Sequence, residues 1–301
     1  MDMGEKGYGT FASNKTFRYS LENSGYGVRE ISLEHPVAED INIIVLADMR
    51  SDFTEEEFRN FDAYLERGGN LFILGEPKRQ QFMNPVIERL GLRFADGIIV
   101  SPSEVNLDDL VAANIKEGAA KVSENYIRYF RSGYSIMTPS ACAVEVIDST
   151  KGFEITEVLA SAGKGSWVEK ETTDFINEKS VLNPAVGEVE KSNSIMLYLT
   201  RPVNNKEQRI FVIGDADCIS TLELSQNRPG FRSSNFTLIT ETFRNLSYGE
   251  FPVEASRVNP PDDRVLVTRN VIFGIRVVLM WIIPLLFVTG CITLLIRRKR
   301  R

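Results

Sequence analysis

The carboxyl-terminal end of this chain constrains its fold most strongly. From Val277 to Ile296 the sequence holds twenty consecutive residues without a charge. A helix rises about 1.5 Å per residue, so this stretch is long enough to cross a hydrocarbon core of roughly 30 Å. We predict a transmembrane helix over residues 271–296, with Trp281 and Pro284 inside it. The alternative is a buried helix of a soluble protein, but such helices seldom run this long without a charge.

Five cations follow the apolar stretch directly, and they predict its orientation. Positively charged flanks of membrane helices tend to stay in the cytoplasm. We therefore predict a cytoplasmic tail over residues 297–301, with the preceding 270 or so residues outside the cytoplasm. The cations of this tail are Arg297, Arg298, Lys299, Arg300 and Arg301.

An extracytoplasmic domain needs a means of export. The first fifteen residues, MDMGEKGYGTFASNK, have neither the cationic start nor the apolar core of a signal peptide. We therefore expect the natural protein to begin further upstream, with a membrane segment ahead of Met1. The alternative is a cytoplasmic domain whose anchor inserts against its charges.

Charge and cysteine content argue against two classes of protein. The formal net charge is −6 even with the five terminal cations included. The rest of the chain is thus more acidic still, and it lacks the basic surface that nucleic acids require. Three cysteines are too few for a disulfide framework. Cys142 and Cys218 could pair in an oxidising compartment or be small buried residues, and Cys291 lies in the apolar stretch.

Residues 1–100 carry the alternating pattern of an α/β domain. We predict strands at short β-branched or alternating runs, and helices where apolar residues recur on one face. The strands are expected at 28–33, 41–47 and 70–75, and the helices at 13–24, 54–67 and 83–90. Because strand and helix alternate with short links, the sheet should be parallel.

The helix after Thr54 has the clearest ends. Thr54 and Glu57 match the capping box, in which each side chain accepts a hydrogen bond from the other residue's backbone N–H. Gly68 and Gly69 follow the last apolar position. Glycine adopts the left-handed conformation that commonly ends a helix, so the helix should stop there.

Residues 101–250 are interpreted as a second, mixed α/β region. Residues 161–189 are polar and predict a long surface loop, and residues 107–115 fit either a helix or a strand. Three prolines within residues 251–270 predict a linker to the anchor. Further strands are expected at 98–100, 135–137, 153–159, 195–200 and 209–214, helices at 123–130 and 233–246, and a turn at 202–205.

Few residues of the sequence suggest chemistry. Asp215 and Asp217 follow a strand, at the end where open α/β sheets bind ligands, and could hold Mg²⁺ or Ca²⁺. No third oxygen ligand is evident, so turn and cap hydrogen bonds are the favoured interpretation. Trp167 could anchor a partner or be buried against the sheet. His35 is the only histidine, and no nucleophile elbow follows any predicted strand.

The order of several short motifs resembles the GldG family. The motifs are GGNLFILGEP at residues 68–77, LASAGKGSW at 159–167 and GDADC at 214–218, and they precede an apolar helix that ends in RRKRR. GldG proteins are auxiliary subunits of gliding-motility-type ABC transporters of Bacteroidetes. Their soluble part is related to the glutamine-amidotransferase-like fold. The resemblance spans most of residues 25–301.

This resemblance implies a fold, a location and a role. The fold is α/β, a parallel-sheet, glutamine-amidotransferase-like (flavodoxin-like) ectodomain with an additional mixed α/β region and one carboxyl-terminal transmembrane helix. The chain would sit in the bacterial inner membrane with its bulk in the periplasm. It would work beside a permease and an ATPase as an auxiliary or substrate-interacting component.

The resemblance also implies that the chain has neither catalytic activity nor a cofactor. Amidotransferases carry a nucleophilic cysteine after a strand, whereas this chain has Glu76 in the segment that follows its strand at 70–75. Glu76, Asp215, Asp217 and Trp167 are then candidates for contact with a ligand or partner. Two alternatives stay open, an amidotransferase-like or other α/β hydrolase of the cell envelope and a structural envelope protein.

Overall fold

Strands with apolar side chains on both faces form the centre of the molecule. The computed structural model describes residues 20–228, 230–251 and 269–300. The chain divides into two compact units, Met1–Val253 and Glu254–Arg301. The described strands of the first unit are β1 (Ile43–Ala47), β2 (Asn70–Leu74), β3 (Leu92–Phe94), β4 (Ile98–Val100), β5 (Leu110–Ile115), β6 (Ile136–Pro139), β7 (Val144–Val146), β8 (Glu154–Ala160), β9 (Trp167–Glu169), β10 (Ser194–Val203) and β11 (Lys206–Ile213).

Seven of these strands form one mixed sheet, in the order β1-β2-β11-β10-β8-β5-β6. β1, β2 and β11 run parallel, and the remaining neighbours are antiparallel. The predicted α/β class with a mixed region and one apolar carboxyl-terminal helix is confirmed, and the parallel pairing is confined to three strands. The sheet takes strands from both 1–100 and 101–250, so the two regions share it. β3 pairs with β7, and β4 pairs with β9, in two small sheets.

Helices cover both faces of the large sheet. The described α-helices of this unit are α1 (Glu55–Glu66), α2 (Gln80–Ile87), α3 (Glu124–Arg131), α4 (Thr221–Ser225) and α5 (Asn235–Leu246). On β2, Leu71 and Ile73 pack in one cluster with residues of α1 and α2, and Phe72 and Leu74 pack in the other with residues of α3 and α5. The two clusters follow from the period of two along a strand, which sends successive side chains to opposite faces.

The capping signals of α1 work as predicted. The Thr54 hydroxyl accepts from the Glu57 N–H at 3.2 Å, and the Glu57 carboxylate accepts from the Thr54 N–H at 2.7 Å. Such a cap stabilises a helix by about 1 kcal/mol. Gly68 has φ of +87°, the left-handed conformation in which only glycine is unstrained, and α1 ends before it.

Two predicted elements differ in the structure. Residues 28–33 form no strand, because Val28 packs in one core cluster and Leu33 in the other, so the segment crosses from one face of the sheet to the other. Of the helix predicted over 13–24, residues 13–19 lie outside the described residues, and 20–24 form a bend and turns. The segment 107–115, for which helix and strand were both open, contains strand β5.

The predicted turn at 202–205 is shorter in the structure. Asn204 and Asn205, with φ of +48° and +63°, form a two-residue hairpin loop between β10 and β11. Pro202 lies within β10, paired with Glu207. Strand β8 pairs with β10 only as far as Thr200, so the missing N–H of Pro202 breaks no ladder there.

The second unit contains the apolar helix. It consists of α6 (Arg269–Val277), a π-helical turn (Val278–Ile282) and α7 (Ile283–Lys299). Residues Val271–Lys299 have a mean hydropathy of 2.6 over their most apolar window, and are long and apolar enough to span a membrane. Pro284 cannot donate a backbone hydrogen bond, which explains the irregular turn before it. The hydroxyl of Thr289 donates to the Leu285 carbonyl at 2.9 Å, so this polar group is hydrogen-bonded within the helix.

The residues predicted to anchor the chain are distributed along this helix. Trp281 lies in the π-helical turn, and Pro284 at the start of α7. Arg297, Arg298 and Lys299 form the last turn of α7, and Arg300 follows it. Arg301 and most of the predicted linker, residues 252–268, lie outside the described residues.

Candidate functional site

The carboxyl ends of the three parallel strands meet at one edge of the sheet, and each is followed by an acidic residue. The Asp48 N–H after β1 donates to the Leu74 carbonyl at 3.2 Å, and the Gly75 N–H after β2 donates to the Ile213 carbonyl at 2.7 Å. These bonds hold the three strand ends side by side. We call Asp48, Glu76, Asp215 and Asp217, which follow these strands, the acidic edge.

Asp215 is the most deeply placed carboxyl of the acidic edge. Its side chain is fully buried, and one oxygen, Oδ1, accepts from the Asp217 N–H at 2.7 Å. The other oxygen, Oδ2, has no hydrogen-bond partner in the described part of the chain. Burial raises the pKa of Asp215 well above its ordinary value, and the charges of Glu76 and Asp217 raise it further. Burial and these two charges thus disfavour the charged form of Asp215 relative to an exposed aspartate.

The burial of Asp215 predicts a pH effect on stability. Its pKa is raised in the folded chain, so protonation stabilises the fold below the ordinary pKa of about 4 and this contribution is lost as pH rises. Asp215→Asn keeps the Oδ1 acceptor and removes the titration. In mild detergent, we expect the urea midpoint of unfolding of this variant, relative to that of the wild type, to rise between pH 4 and pH 8.

The difference in the free energy of unfolding between the variant and the wild type can change by up to about 1.4 kcal/mol per pH unit, the limit for one titrating group. The fluorescence of Trp167 reports unfolding in a Trp281→Phe background, because these are the two tryptophans of the chain. Asp52→Asn, which removes an exposed carboxylate, is the matched control. A difference that does not change with pH would show that Asp215 is charged in the folded chain.

Asp48 differs from Asp215 because its charge is balanced. It is largely buried, and its backbone is left-handed with φ of +45°. The guanidinium groups of Arg50 and Arg79 lie 3.1 and 3.3 Å from its carboxylate. Sequence reasoning missed Asp48, although its position directly after a buried strand is the same signal that identified Asp215.

Both cysteines of this unit lie beside the acidic edge. Cys142 and Cys218 are buried and free. The Cys142 N–H donates to the Gly214 carbonyl at 2.8 Å, and the Cys218 thiol donates to the Asp215 carbonyl at 3.2 Å. Burial raises the pKa of both thiols, and Asp215 is among the nearby acids that raise it further. Neither thiol is thus prepared as a thiolate nucleophile.

The acidic edge shows no ready cation site. Among the described residues, no group of three or more histidine, cysteine or acidic side chains is arranged to hold a metal ion. In the described part of the chain, the structure therefore adds no third cation ligand to Asp215 and Asp217. The bond from the Asp217 N–H to Asp215 is instead the local turn hydrogen bond that aspartate makes after a strand.

Trp167 is not one of the residues of the acidic edge and lies in the segment predicted as a surface loop. It forms part of β9, pairs with Val100 of β4 and is only 7% exposed. Its indole N–H donates to Glu169 at 3.3 Å, and its ring packs with Phe175. Much of residues 161–189 is exposed and without helix or strand, but this part has a small core of its own.

Buried carboxylates support that small core. Glu169 accepts from the backbone N–H groups of Glu171 and Thr172, each at 3.0 Å, and Glu188 accepts from that of Lys170 at 2.9 Å. Burial acts to raise the pKa of Glu169, but hydrogen bonds, chiefly those from the Thr172 and Glu171 N–H groups, outweigh it, and the pKa is lowered. The charged form of Glu169 thus serves as a fixed acceptor for a loop without regular structure.

Two open cavities lie at the other edge of the sheet, near the amino ends of the parallel strands. The first, of ≈500 Å³, is lined by Lys121, Arg209, Glu241, Arg244 and Tyr248 among others. The second, of ≈480 Å³, borders the loop between β10 and β11. Neither includes a residue of the acidic edge.

A family model matches the first part of the chain. Residues 5–112 match the family described as an ABC-type uncharacterized transport system. This match supports an auxiliary component of an ABC-type transport system. It covers just over a third of the chain and contains Asp48 and Glu76, whereas Asp215 and Asp217 lie beyond it.

Two solved structures are similar to the chain at low identity. The mmIFT52 N-terminal domain has 16% identity and a TM-score of 0.47, and the match covers 69% of this chain and 78% of that one. A thua-like protein from Parabacteroides merdae ATCC 43184 has 12% identity and a TM-score of 0.33, with 64% and 75% covered. The comparison with curated proteins gives no match.

Proposed function

We propose that this chain is a non-catalytic, membrane-anchored auxiliary or substrate-interacting component of an ABC transporter of the GldG type. Its partners are the permease and the ATPase of that transporter. The apolar helix spans the bacterial inner membrane once, with the basic tail in the cytoplasm. The unit that contains the sheet lies in the periplasm.

The apolar helix carries this proposal. No residue of Val271–Lys299 is buried, so a lipid or protein environment must cover this apolar helix. Four cations at 297–300 outnumber Arg269 and Arg276 at the amino-terminal end of the helix, which favours a cytoplasmic carboxyl terminus. The family match at residues 5–112 supports an ABC-type transport system as the setting.

A non-catalytic role is supported by the chemistry around the acidic edge. Glu76 stands in the segment that follows β2, where the amidotransferase pattern has a cysteine, and the two nearby thiols have raised pKa values. His35 is exposed in a loop. A nucleophile needs a lowered pKa or an adjacent base, and neither cysteine has either.

Thiol labelling from outside the cell tests the orientation that this function requires. Gly163 is exposed with open space around it, so Gly163→Cys should present a reactive thiol without disturbing the fold. In intact spheroplasts, a membrane-impermeant maleimide should label this variant. Arg301→Cys, the matched variant in the tail, should be labelled only after lysis.

The reverse pattern would contradict the proposal. If Arg301→Cys were labelled in intact spheroplasts and Gly163→Cys only after lysis, the sheet-containing unit would be cytoplasmic. The unsubstituted chain is the background control, because Cys142 and Cys218 are buried and Cys291 lies in the apolar helix.

A further inference from the structure

Two loops of the sheet-containing unit are joined by one buried carboxylate. Asp108 is fully buried and accepts from the Ser180 N–H at 2.8 Å and from the Lys179 ammonium at 3.1 Å. The same ammonium donates to the Ser103 carbonyl at 2.9 Å. Burial acts to raise the pKa of Asp108, but the hydrogen bonds from Ser180 and Lys179 lower it. The loops at 101–109 and 174–183 therefore lie side by side.

Four large apolar side chains project from these joined loops into solvent. Val105, Ile176 and Val181 are 80%, 79% and 75% exposed, and Leu107 is also exposed. We call these four residues the apolar patch. Exposed apolar residues grouped on adjoining loops are candidates for a binding site, whereas apolar residues scattered singly need no explanation.

The apolar patch is the outer side of a loop that already has a core. Phe175 is buried and Leu182 half-buried, and both pack in the cluster that contains Trp167. Their direct neighbours in sequence, Ile176 and Val181, point outward. The loop thus folds around one set of apolar residues and presents a second set.

Charge around the patch restricts what can cover it. The two joined loops, residues 101–109 and 174–183, contain five acidic residues and one lysine. Glu104, Asp174 and Glu178 are exposed beside the patch residues. Lys179 is paired with Asp108, and the Lys170 ammonium donates to the carbonyls of Val186 and Gly187 at 3.4 Å. The rim is acidic.

An acidic rim disfavours two possible occupants. Anionic lipid head groups would be repelled, since membranes attract basic segments. A second copy of the same patch would set like charges against each other, which costs free energy at an interface. A protein segment with apolar side chains flanked by lysine or arginine matches both the apolar patch and its acidic rim.

We propose that the apolar patch docks an apolar, basic-flanked segment on the periplasmic side of the transporter permease. This inference rests on the proposed function and names the surface through which it acts. Apolar side chains form the centre of such an interface, and the charged rim sets the partner's orientation and speeds association.

Photo-crosslinking of the full chain in its native membranes tests the docking surface. A photoreactive residue at position 176 or 181 should cross-link to an ABC permease, identified by mass spectrometry. The matched control is position 146, where Val146 is exposed outside the patch, and it should give no such product. Cross-links from the patch only to lipid or only to a second copy of this chain would overturn the inference.

Charge reversal gives a second, independent readout. Glu104→Lys with Glu178→Lys should lower the yield of the permease cross-link roughly fivefold, because two attractive rim pairs become repulsive. Glu34→Lys with Glu39→Lys makes the same change of net charge at exposed sites elsewhere and should leave the yield unchanged. Equal yields from the two double variants would overturn the acidic-rim argument.

Co-purification with the transporter distinguishes failure of the docking inference from failure of the proposed function. If the unsubstituted chain co-purifies with permease and ATPase in mild detergent but positions 176 and 181 give no permease cross-link, the docking surface is wrong and the proposed function stands. If the unsubstituted chain recovers neither subunit, the proposed function fails and the docking inference fails with it.

Discussion

Gly214→Ala is expected to lower the free energy of unfolding by about 3 kcal/mol, the upper end of the usual range for overpacking. A Cβ at this position would lie 1.9 Å from the carbonyl oxygen of Cys142 and 2.8 Å from its carbonyl carbon. These are backbone atoms that cannot rotate away. The added methyl group would also separate the Cys142 N–H from the Gly214 carbonyl, which it now reaches at 2.8 Å.

Urea unfolding of the full chain in mild detergent measures this effect. Gly163→Ala is the matched control, because nothing lies within 4 Å of the point that its Cβ would occupy and its φ is not in the left-handed region. This control should change stability little or raise it slightly, as glycine replacement does at unstrained sites. Equal unfolding midpoints for the two variants would show that the backbone at Gly214 and Cys142 is not closely packed.

Leu286→Arg combined with Val288→Arg is expected to abolish the membrane span that we propose for the apolar helix. Both residues lie near the middle of Val271–Lys299. Each arginine at the centre of a span costs about 3 kcal/mol on insertion scales, so the pair costs roughly 6 kcal/mol. When the 301 residues of this chain are expressed by themselves, most of the variant should then leave the membrane fraction.

Flotation in a sucrose gradient measures this release, because membranes float while aggregates sink. Leu286→Ile combined with Val288→Ile keeps the apolar character and is the matched control, which should float with the membranes. If the arginine variant floats as the control does, the helix does not need an apolar centre and is not a simple span.

Elements with local signals were predictable from the sequence. The ends of α1 depend on Thr54, Glu57 and Gly68, which act within one or two turns of the residues that they cap. β1 and β2 are short apolar runs typical of buried strands, although only β2 is buried on both faces and β1 lies half-buried at the edge of the sheet. The apolar helix follows from length and absence of charge alone.

Elements that depend on distant partners were less predictable. β9 forms only because Trp167 and its neighbours pair with β4, nearly seventy residues earlier in the chain. Buried Glu169 and Glu188 make this segment look polar and solvated, although their carboxylates serve as internal acceptors. Conversely, the alternation of apolar residues over 28–33 is typical of a strand, but Val28 and Leu33 pack on opposite faces of the sheet.

The candidate site was predictable in position and not in electrostatics. The rule that ligands bind at the carboxyl ends of strands identified Asp215 and Asp217. Burial separates the two, because Asp215 is fully enclosed and Asp217 is not. The proximity of Glu76, which helps to raise the pKa of Asp215, depends on β2 and β11 being neighbours, and no local pattern encodes that pairing.

The composition of the complex formed by the full chain tests the proposed function most directly. The tagged chain would be purified from native membranes in mild detergent and weighed by native mass spectrometry, with the Leu286→Arg, Val288→Arg variant as the control. We predict a complex that contains this 33.9 kDa chain together with an ABC permease and an ATPase, and no such complex for the variant. A chain that is recovered alone, or only with copies of itself, would contradict the proposal.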